Sequence, residues 1–296
     1  MTSRTHALLA LSAVLAVAAC AGSSADVAPA ASVQITATDY AFAVPATVPG
    51  GLVPVTFTNG GKEDHHAQIV RLNDGVTRDQ FKEKLASVIQ AAATEGEGAY
   101  MRLFEVASVA GGPGMVAPGR SLDTVSDLSP GEYALICFVA GPDGVPHVVK
   151  DMVQYFTVTA PANASTAAPA AAVSINLADF AFSDLPAFRT GRTTIEVSNG
   201  GPEPHEMIVL KLDGITLQQL MEMMSSPPPA PPPGAAPPPM PFSSVGGVQA
   251  LMPGAKGWVT LDLTPGTYAM VCFIPSPANG GKPHVMLGMS KEFTVQ

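Results

Sequence analysis

The sequence predicts an all-β fold of two tandem β-sandwiches, each with one inserted helix. Two observations carry this expectation: the chain repeats itself, and each repeat is a series of short alternating apolar runs bounded by Gly, Pro, Asn and Asp. A third, a helix-start signal at the same place in each copy, adds the inserted helix.

The repeat is direct. GGPGMVAPGRSLDTVSDLSPGEYALICF (111–138) aligns without a gap with GGVQALMPGAKGWVTLDLTPGTYAMVCF (246–273), and TNGGKEDHHAQIV (58–70) matches SNGGPEPHEMIVL (198–210). The copies span residues 32–159 and 172–296, joined by the Ala/Pro-rich linker APANASTAAPAA (160–171). Within them SVQITATDYAF, VPVTFTN and EYALICF are answered by VSINLADFAF, TTIEVSN and TYAMVCF, period-two or short apolar runs of the length of strands. Thr77 with Gln80 and Thr216 with Gln219 read as capping boxes. Val76 to Phe81 and Ile215 to Leu220 read as hydrophobic staples, and Phe81, Leu85 and Ile89 mark one apolar helix face. After the second helix, PPPAPPPGAAPPPMP (227–241) excludes both strand and helix, and its composition is that of a polyproline II or irregular excursion.

At 296 residues, 47% hydrophobic and 13% charged, the chain is long enough for two ordinary domains with cores of their own. A net charge of -9 and the lack of a clustered basic face argue against nucleic acid as a partner and favour neutral or positively charged ones. The N-terminus, Arg4 followed by ALLALSAVLAVAA and Cys20, reads as a signal peptide over 1–19, too short to serve as a transmembrane helix. Val17-Ala18-Ala19-Cys20 is similar to a bacterial lipobox. On that reading Cys20 is lipidated and residues 20–31 tether the first domain to a membrane of the bacterial cell envelope, on its extracytoplasmic side. Ordinary cleavage before a free Cys20 is the other reading.

Two cysteines remain, Cys137 and Cys272. They occupy the same place in separate repeats, so each lacks a disulfide partner within its own fold. Each has company of another kind. Repeat one offers His65, Cys137, His147 and Met152; repeat two offers His205, Cys272, His284 and Met289. In both, one His follows Asn-Gly-Gly at a strand end, and the rest cluster as Cys-x9-His-x4-Met or Cys-x11-His-x4-Met. Two imidazoles, a thiolate and a weak thioether are the donors of a mononuclear blue (type 1) copper site. A lone Cys, Met or His is more often plain core or surface; recurrence of all four at equivalent positions in both copies is what favours copper. Met286 competes with Met289 for the second site and His66 with His65 for the first; the repeat alignment, which pairs His65 with His205, favours His65.

Here the chain resembles the cupredoxin family. GEYALICF, with Tyr133 four residues before Cys137, looks like that family's penultimate strand, and Pro146 and Pro283 stand directly before the second His as in the family. VPHVVKDM (145–152) is similar to the type 1 copper loop of copper nitrite reductases. The resemblance covers both repeats. It implies a Greek-key topology, copper as cofactor and one-electron transfer with a redox partner protein that the sequence does not identify. It also marks departures: plastocyanin-like members carry Asn after the first His and a small hydroxyl residue after the Cys, where this chain has His66 or Glu206, and Phe138 or Phe273.

Oxidases and nitrite reductases built from tandem cupredoxin domains need further histidines for a catalytic copper. Of the six His here, His6 lies in the signal peptide, four are assigned, and His66 alone is left, so the expectation is a protein that is not an enzyme. Two alternatives stay open: copper storage, delivery or sensing, to which Met207, Met221, Met223 and Met224 would contribute, and a metal-free interaction module.

Overall fold

The computed structural model describes residues 32–161, 167–226 and 240–296. The signal peptide, Cys20, the 20–31 tether, part of the 160–171 linker and nearly all of the Pro-rich run lie outside them.

Each repeat is a sandwich of two sheets. In repeat one, Val33–Thr38, Ala41–Ala43, Gly51–Asn59 and Ser121–Leu128 form one layer, and Thr47–Pro49, Gln68–Leu72, Ala107–Val109, Gly131–Ile136 and Val153–Thr159 the other. In repeat two the layers are Val173–Ala178, Ala181–Phe182, Gly191–Asn199 and Lys256–Leu263 against His205–Leu212, Phe242–Leu251, Gly266–Val271 and Ser290–Val295. Gly51–Asn59 buries every second residue, Val53, Val55, Phe57 and Asn59, as the period of an extended chain requires when one face meets the core.

The strands that carry the cysteines read instead as unbroken apolar runs, because both of their faces are covered. Ile69, Leu135 and Cys137 point into the sandwich core, while Val70, Ala134 and Ile136 meet the helix Arg78–Glu95. Both capping boxes form: Thr77 Oγ1 accepts from the Gln80 amide, and Thr216 Oγ1 from the Gln219 amide. The apolar helix face is Phe81, Leu85 and Val88, with Ile89 only partly buried beside it, so the stripe runs i, i+4, i+7. A 3₁₀ segment, Glu97–Glu105, follows the first helix after a turn at Gly96; the sequence reading did not anticipate it.

The repeats are joined edge to edge. Ser121–Leu128 pairs antiparallel with its own counterpart, Lys256–Leu263, which fuses one layer from each repeat into a continuous eight-stranded sheet. Thr124 lies opposite Val259, the residue it aligns with, so a pseudo-twofold axis passes between them. A second crossing obeys the same axis: Pro113 bridges Val248, its counterpart, and the bond from Gly114 N–H to Gly247 O is answered by one from Gln249 N–H to Gly112 O. Contact of equivalent surfaces is the self-complementary arrangement of twofold dimers. The approach at the second crossing needs glycine, since a Cβ on Gly114 would stand 2.8 Å from the Gly247 backbone.

Gly114→Val is therefore expected to lower stability by about 1–3 kcal/mol through overpacking. Thermal unfolding should show a Tm several degrees lower, whereas Gly75→Val, at a glycine with open space around it, costs only backbone strain.

Candidate metal centre

In both repeats the first His ends up beside the Cys because a strand end and the loop after the penultimate strand meet at one pole of the sandwich. His65 bridges Val116 and His205 pairs with Leu251, again equivalent positions. The short 3₁₀ turns His147–Lys150 and His284–Leu287 carry the second His back over the Cys.

Three donor atoms then converge. Cys137 Sγ lies 3.4 Å from His147 Nδ1 and 3.8 Å from His65 Nδ1, and the two Nδ1 atoms are 3.0 Å apart. In repeat two, Cys272 Sγ is 3.4 Å from His284 Nδ1, which is 2.9 Å from His205 Nδ1. All six side chains are fully buried, and within each group the donors lie within 4.8 Å of one another. Both cysteines are free thiols.

The orientation of the rings comes from carboxylates. His65 Nε2 is 2.8 Å from Asp39 Oδ1 and His147 Nε2 2.8 Å from Glu63 Oε2; the counterparts are His205 with Asp179 at 2.7 Å and His284 with Glu203 at 2.9 Å. Each carboxylate accepts a hydrogen bond from Nε2–H, which leaves each Nδ1 lone pair facing the other donors. Two bare imidazole acceptors, their Nδ1 atoms 3.0 Å apart in the first site and 2.9 Å in the second, repel one another beside a thiol, and a cation relieves that. A paired imidazole set with a buried thiol, in a core that also holds Met152 or Met289, suits copper better than zinc, which prefers four strong donors.

These carboxylates are themselves held. Asn59 Nδ2 donates to the carbonyls of Glu63 and Val116, and Asn199 Nδ2 to those of Glu203 and Leu251, which fixes the Asn-Gly-Gly turn. Tyr40 donates its hydroxyl proton to Glu63 Oε1 in the first site; Ser276 does the same for Glu203 in the second. The turn's second glycine makes room for the His–Asp pair, since a Cβ on Gly61 would meet His65 Nε2 at 2.7 Å and one on Gly201 would meet His205 Nε2 at 2.7 Å.

The departure from plastocyanin-like members has a structural answer. His66 is turned away from the donors and its Nε2 accepts the Phe138 amide proton at 2.8 Å; Glu206 Oε1 accepts that of Phe273 at 2.8 Å. The residue after each first His thus ties the two loops together with different chemistry in each repeat. Burial holds His66 neutral, its pKa pushed down to about 3, and raises the Glu206 carboxyl to about 7. Burial also raises the thiols, Cys137 to about 12, and lowers His147 and His205.

Met152 and Met289 are fully buried in the same apolar core as Cys137 and Cys272. Each closes its loop: Cys137 N–H donates to Met152 O and Met152 N–H to His147 O, with the same pair of bonds among Cys272, Met289 and His284. Met286 packs instead on the helix side of the sheet with Met221 and Met224, and Met207 sits in the sandwich core. The four carboxylates were missed in the sequence, although Asp39 and Asp179, Glu63 and Glu203 stand at matching places in TDYAF and ADFAF and in NGGKE and NGGPE.

The fold and the donor set are cupredoxin-like. No protein-family model matches the chain, and no curated protein matches it in sequence. Among solved structures it is similar to auracyanin from Roseiflexus castenholzii, at 20% identity over 42% of this chain and 95% of that one, with a TM-score of 0.29. A multicopper oxidase aligns at 16% identity over 89% of this chain and 88% of its own, TM-score 0.24. The copper-containing nitrite reductase of Thermus scotoductus aligns at 11% identity over 90% and 61%, TM-score 0.23. Among the described residues no helix is long and apolar enough to cross a membrane.

Two outcomes follow from this geometry. Gly61→Ala displaces the His65–Asp39 pair and should weaken metal binding at the first site about 10–100-fold in a competition titration, the range for losing an outer hydrogen-bond partner. Glu206 has a folded pKa above its unfolded one, so its stabilising share is complete below the unfolded value of 4.5 and is lost as pH rises through about 7. Glu206→Gln should therefore gain on the parent protein across that window, by roughly 3 kcal/mol at most, read as Tm against pH in the metal-free form.

Proposed function

We propose that this chain is an extracytoplasmic copper protein that passes single electrons, with one copper held by His65, Cys137, His147 and Met152 and a second by His205, Cys272, His284 and Met289. The observation that carries the proposal is the pair of enclosed N₂S triangles, each with both outer imidazole nitrogens on carboxylates. Copper bound there supplies a one-electron couple.

The chain's own residues favour transfer over bond chemistry. Every donor side chain is buried, so a substrate has no route to the ion. Two carboxylates beside each pair of histidines favour the more highly charged oxidised state. Packing on both faces of the cysteine strand keeps the donors from rearranging between oxidation states, which keeps the reorganisation cost of transfer small. The loop around His147 presents Val149, 46% exposed, beside Lys150 and Asp143, and this small surface offers contact to a redox partner. The lipobox-like Val17–Cys20 would hold the chain at a membrane surface of the bacterial envelope.

Storage or delivery of Cu(I) by the extra methionines gains no support from their placement, since Met207, Met221 and Met224 pack against apolar neighbours.

Adding Cu(II) to the soluble chain lacking residues 1–20 should give an intense visible thiolate-to-copper band with two coppers per chain. Cys137→Ser and Cys272→Ser should each remove about one site's share, and the double variant all of it. A colourless protein that retains Cu(I) would point to storage, and one that binds no copper would overturn both readings. In voltammetry, Glu63→Gln should raise the potential of the first site, on the order of 50 mV, as removal of a negative charge favours the reduced ion.

A further inference from the structure

Between the repeats lies a cavity of about 400 Å³ that the copper sites do not use. Tyr100, Phe104 and Phe138 of repeat one and Phe273 and Ile274 of repeat two form its apolar walls. Its volume falls within the range of small-molecule sites, which are lined mainly by apolar side chains with a few placed polar groups.

The polar groups here are few and unevenly satisfied. Gln68 is fully engaged: its amide nitrogen donates to the Ile69 and Gly111 carbonyls, and its oxygen accepts from Ala250 N–H. Gln249 is not. Its side chain is 2% exposed and lines the cavity, yet its Nε2 has no hydrogen-bond partner. A buried donor left unpaired is costly, and such groups in native proteins call for an explanation. Glu206 stands on the neighbouring strand, where the register slips between His205 and Met207, and also lines the cavity. One of its oxygens takes the Phe273 amide proton, leaving the other to accept from a ligand.

We propose that this cavity binds a neutral aromatic molecule of about two fused rings carrying one hydroxyl group. The hydroxyl accepts from Gln249 Nε2 and donates to Glu206, so a single group satisfies both. The rings lie among Tyr100, Phe138 and Phe273; Tyr100 and Phe138 already meet edge to face at 5.1 Å. An anionic ligand is disfavoured by Glu206, and a cationic one by the apolar walls.

The site occurs once despite the pseudo-twofold axis. Gly114 occupies the place of Gln249 in repeat one, and His66 that of Glu206. Among the described residues the wall segment Glu97–Glu105 has no counterpart in repeat two, and it is fastened across the interface where Gly98 meets Gly281, a Cβ on Gly98 falling 2.8 Å from the Gly281 Cα. Stoichiometry is thus one ligand per chain, independent of copper.

The experiment is calorimetric titration of the metal-free soluble chain with 2-naphthol, alongside naphthalene and 2-naphthalenesulfonate. Saturable 1:1 binding of 2-naphthol is expected, with naphthalene at least ten-fold weaker and the sulfonate weaker still. Gln249→Leu should weaken 2-naphthol about ten-fold and erase its advantage over naphthalene, while Met101→Trp, which fills the cavity from its wall, should abolish binding. Parent-like far-ultraviolet circular dichroism and cooperative thermal unfolding of both metal-free variants report that they are folded. Absence of saturable binding to the parent chain overturns the proposal, as does an equal affinity for naphthalene and 2-naphthol. Because the titration uses metal-free protein, its failure leaves the copper reading untouched, and failure of copper binding leaves this one standing.

Discussion

Both pockets depend on the hydrogen bond between an outer imidazole nitrogen and a carboxylate. Without it a buried histidine chooses its tautomer and ring angle by packing alone, and the inner nitrogens need not face the thiol. The bond's own supports run outward in order. Asp39 and Asp179 come from the end of the first strand of each repeat, and Glu63 and Glu203 from the turn that Asn59 and Asn199 hold by their side-chain amides. Gly61 and Gly201 are there because no side chain fits between that turn and the His–Asp pair. The Asn-Gly-Gly motif is thus a part of the metal centre, though none of its atoms is a donor to it.

The two sites share this frame and differ in what surrounds it. Tyr40, reinforced by Lys150, backs Glu63 in the first; Phe180 replaces the tyrosine in the second, and Ser276 supplies the hydroxyl from the longer loop. His66 and Glu206 make the same loop tie with a neutral ring in one case and a titratable carboxyl in the other. The two centres thus repeat one set of candidate donors inside unequal surroundings.

The convergence of His, Cys and His in each repeat was legible because chemistry constrains residue type: few roles ask for these residues together with Met, and duplication tests the coincidence. The sandwich layers were legible through their period of two, and the helices through their capping boxes. The carboxylates were not, since a single Asp beside a turn or a Glu after Asn-Gly-Gly is the ordinary composition of a solvated loop, and its partner is distant in sequence. The strand Ser121–Leu128 gave no sign that its free edge would be covered by the other repeat, because edge and interior strands share one alternation. The segment Glu97–Glu105 lacks both a cap and a clean period, so its position follows from what it packs on.

The pairing of Thr124 with Val259 across a local axis places this chain in the geometry of a homodimer whose subunits have been joined end to end. In a true dimer every substitution is made twice, and a residue near the axis must suit its own copy. Fusion lifts that condition. One half can carry Gly114 where the close approach of backbones demands it while the other carries Gln249, and the segment Glu97–Glu105 can wall the space from one side. A symmetric dimer of this shape encloses on its axis only a cavity with matching halves; a single chain is free to make that space lopsided, with Gln249 and Glu206 facing it from repeat two where repeat one has Gly114 and His66.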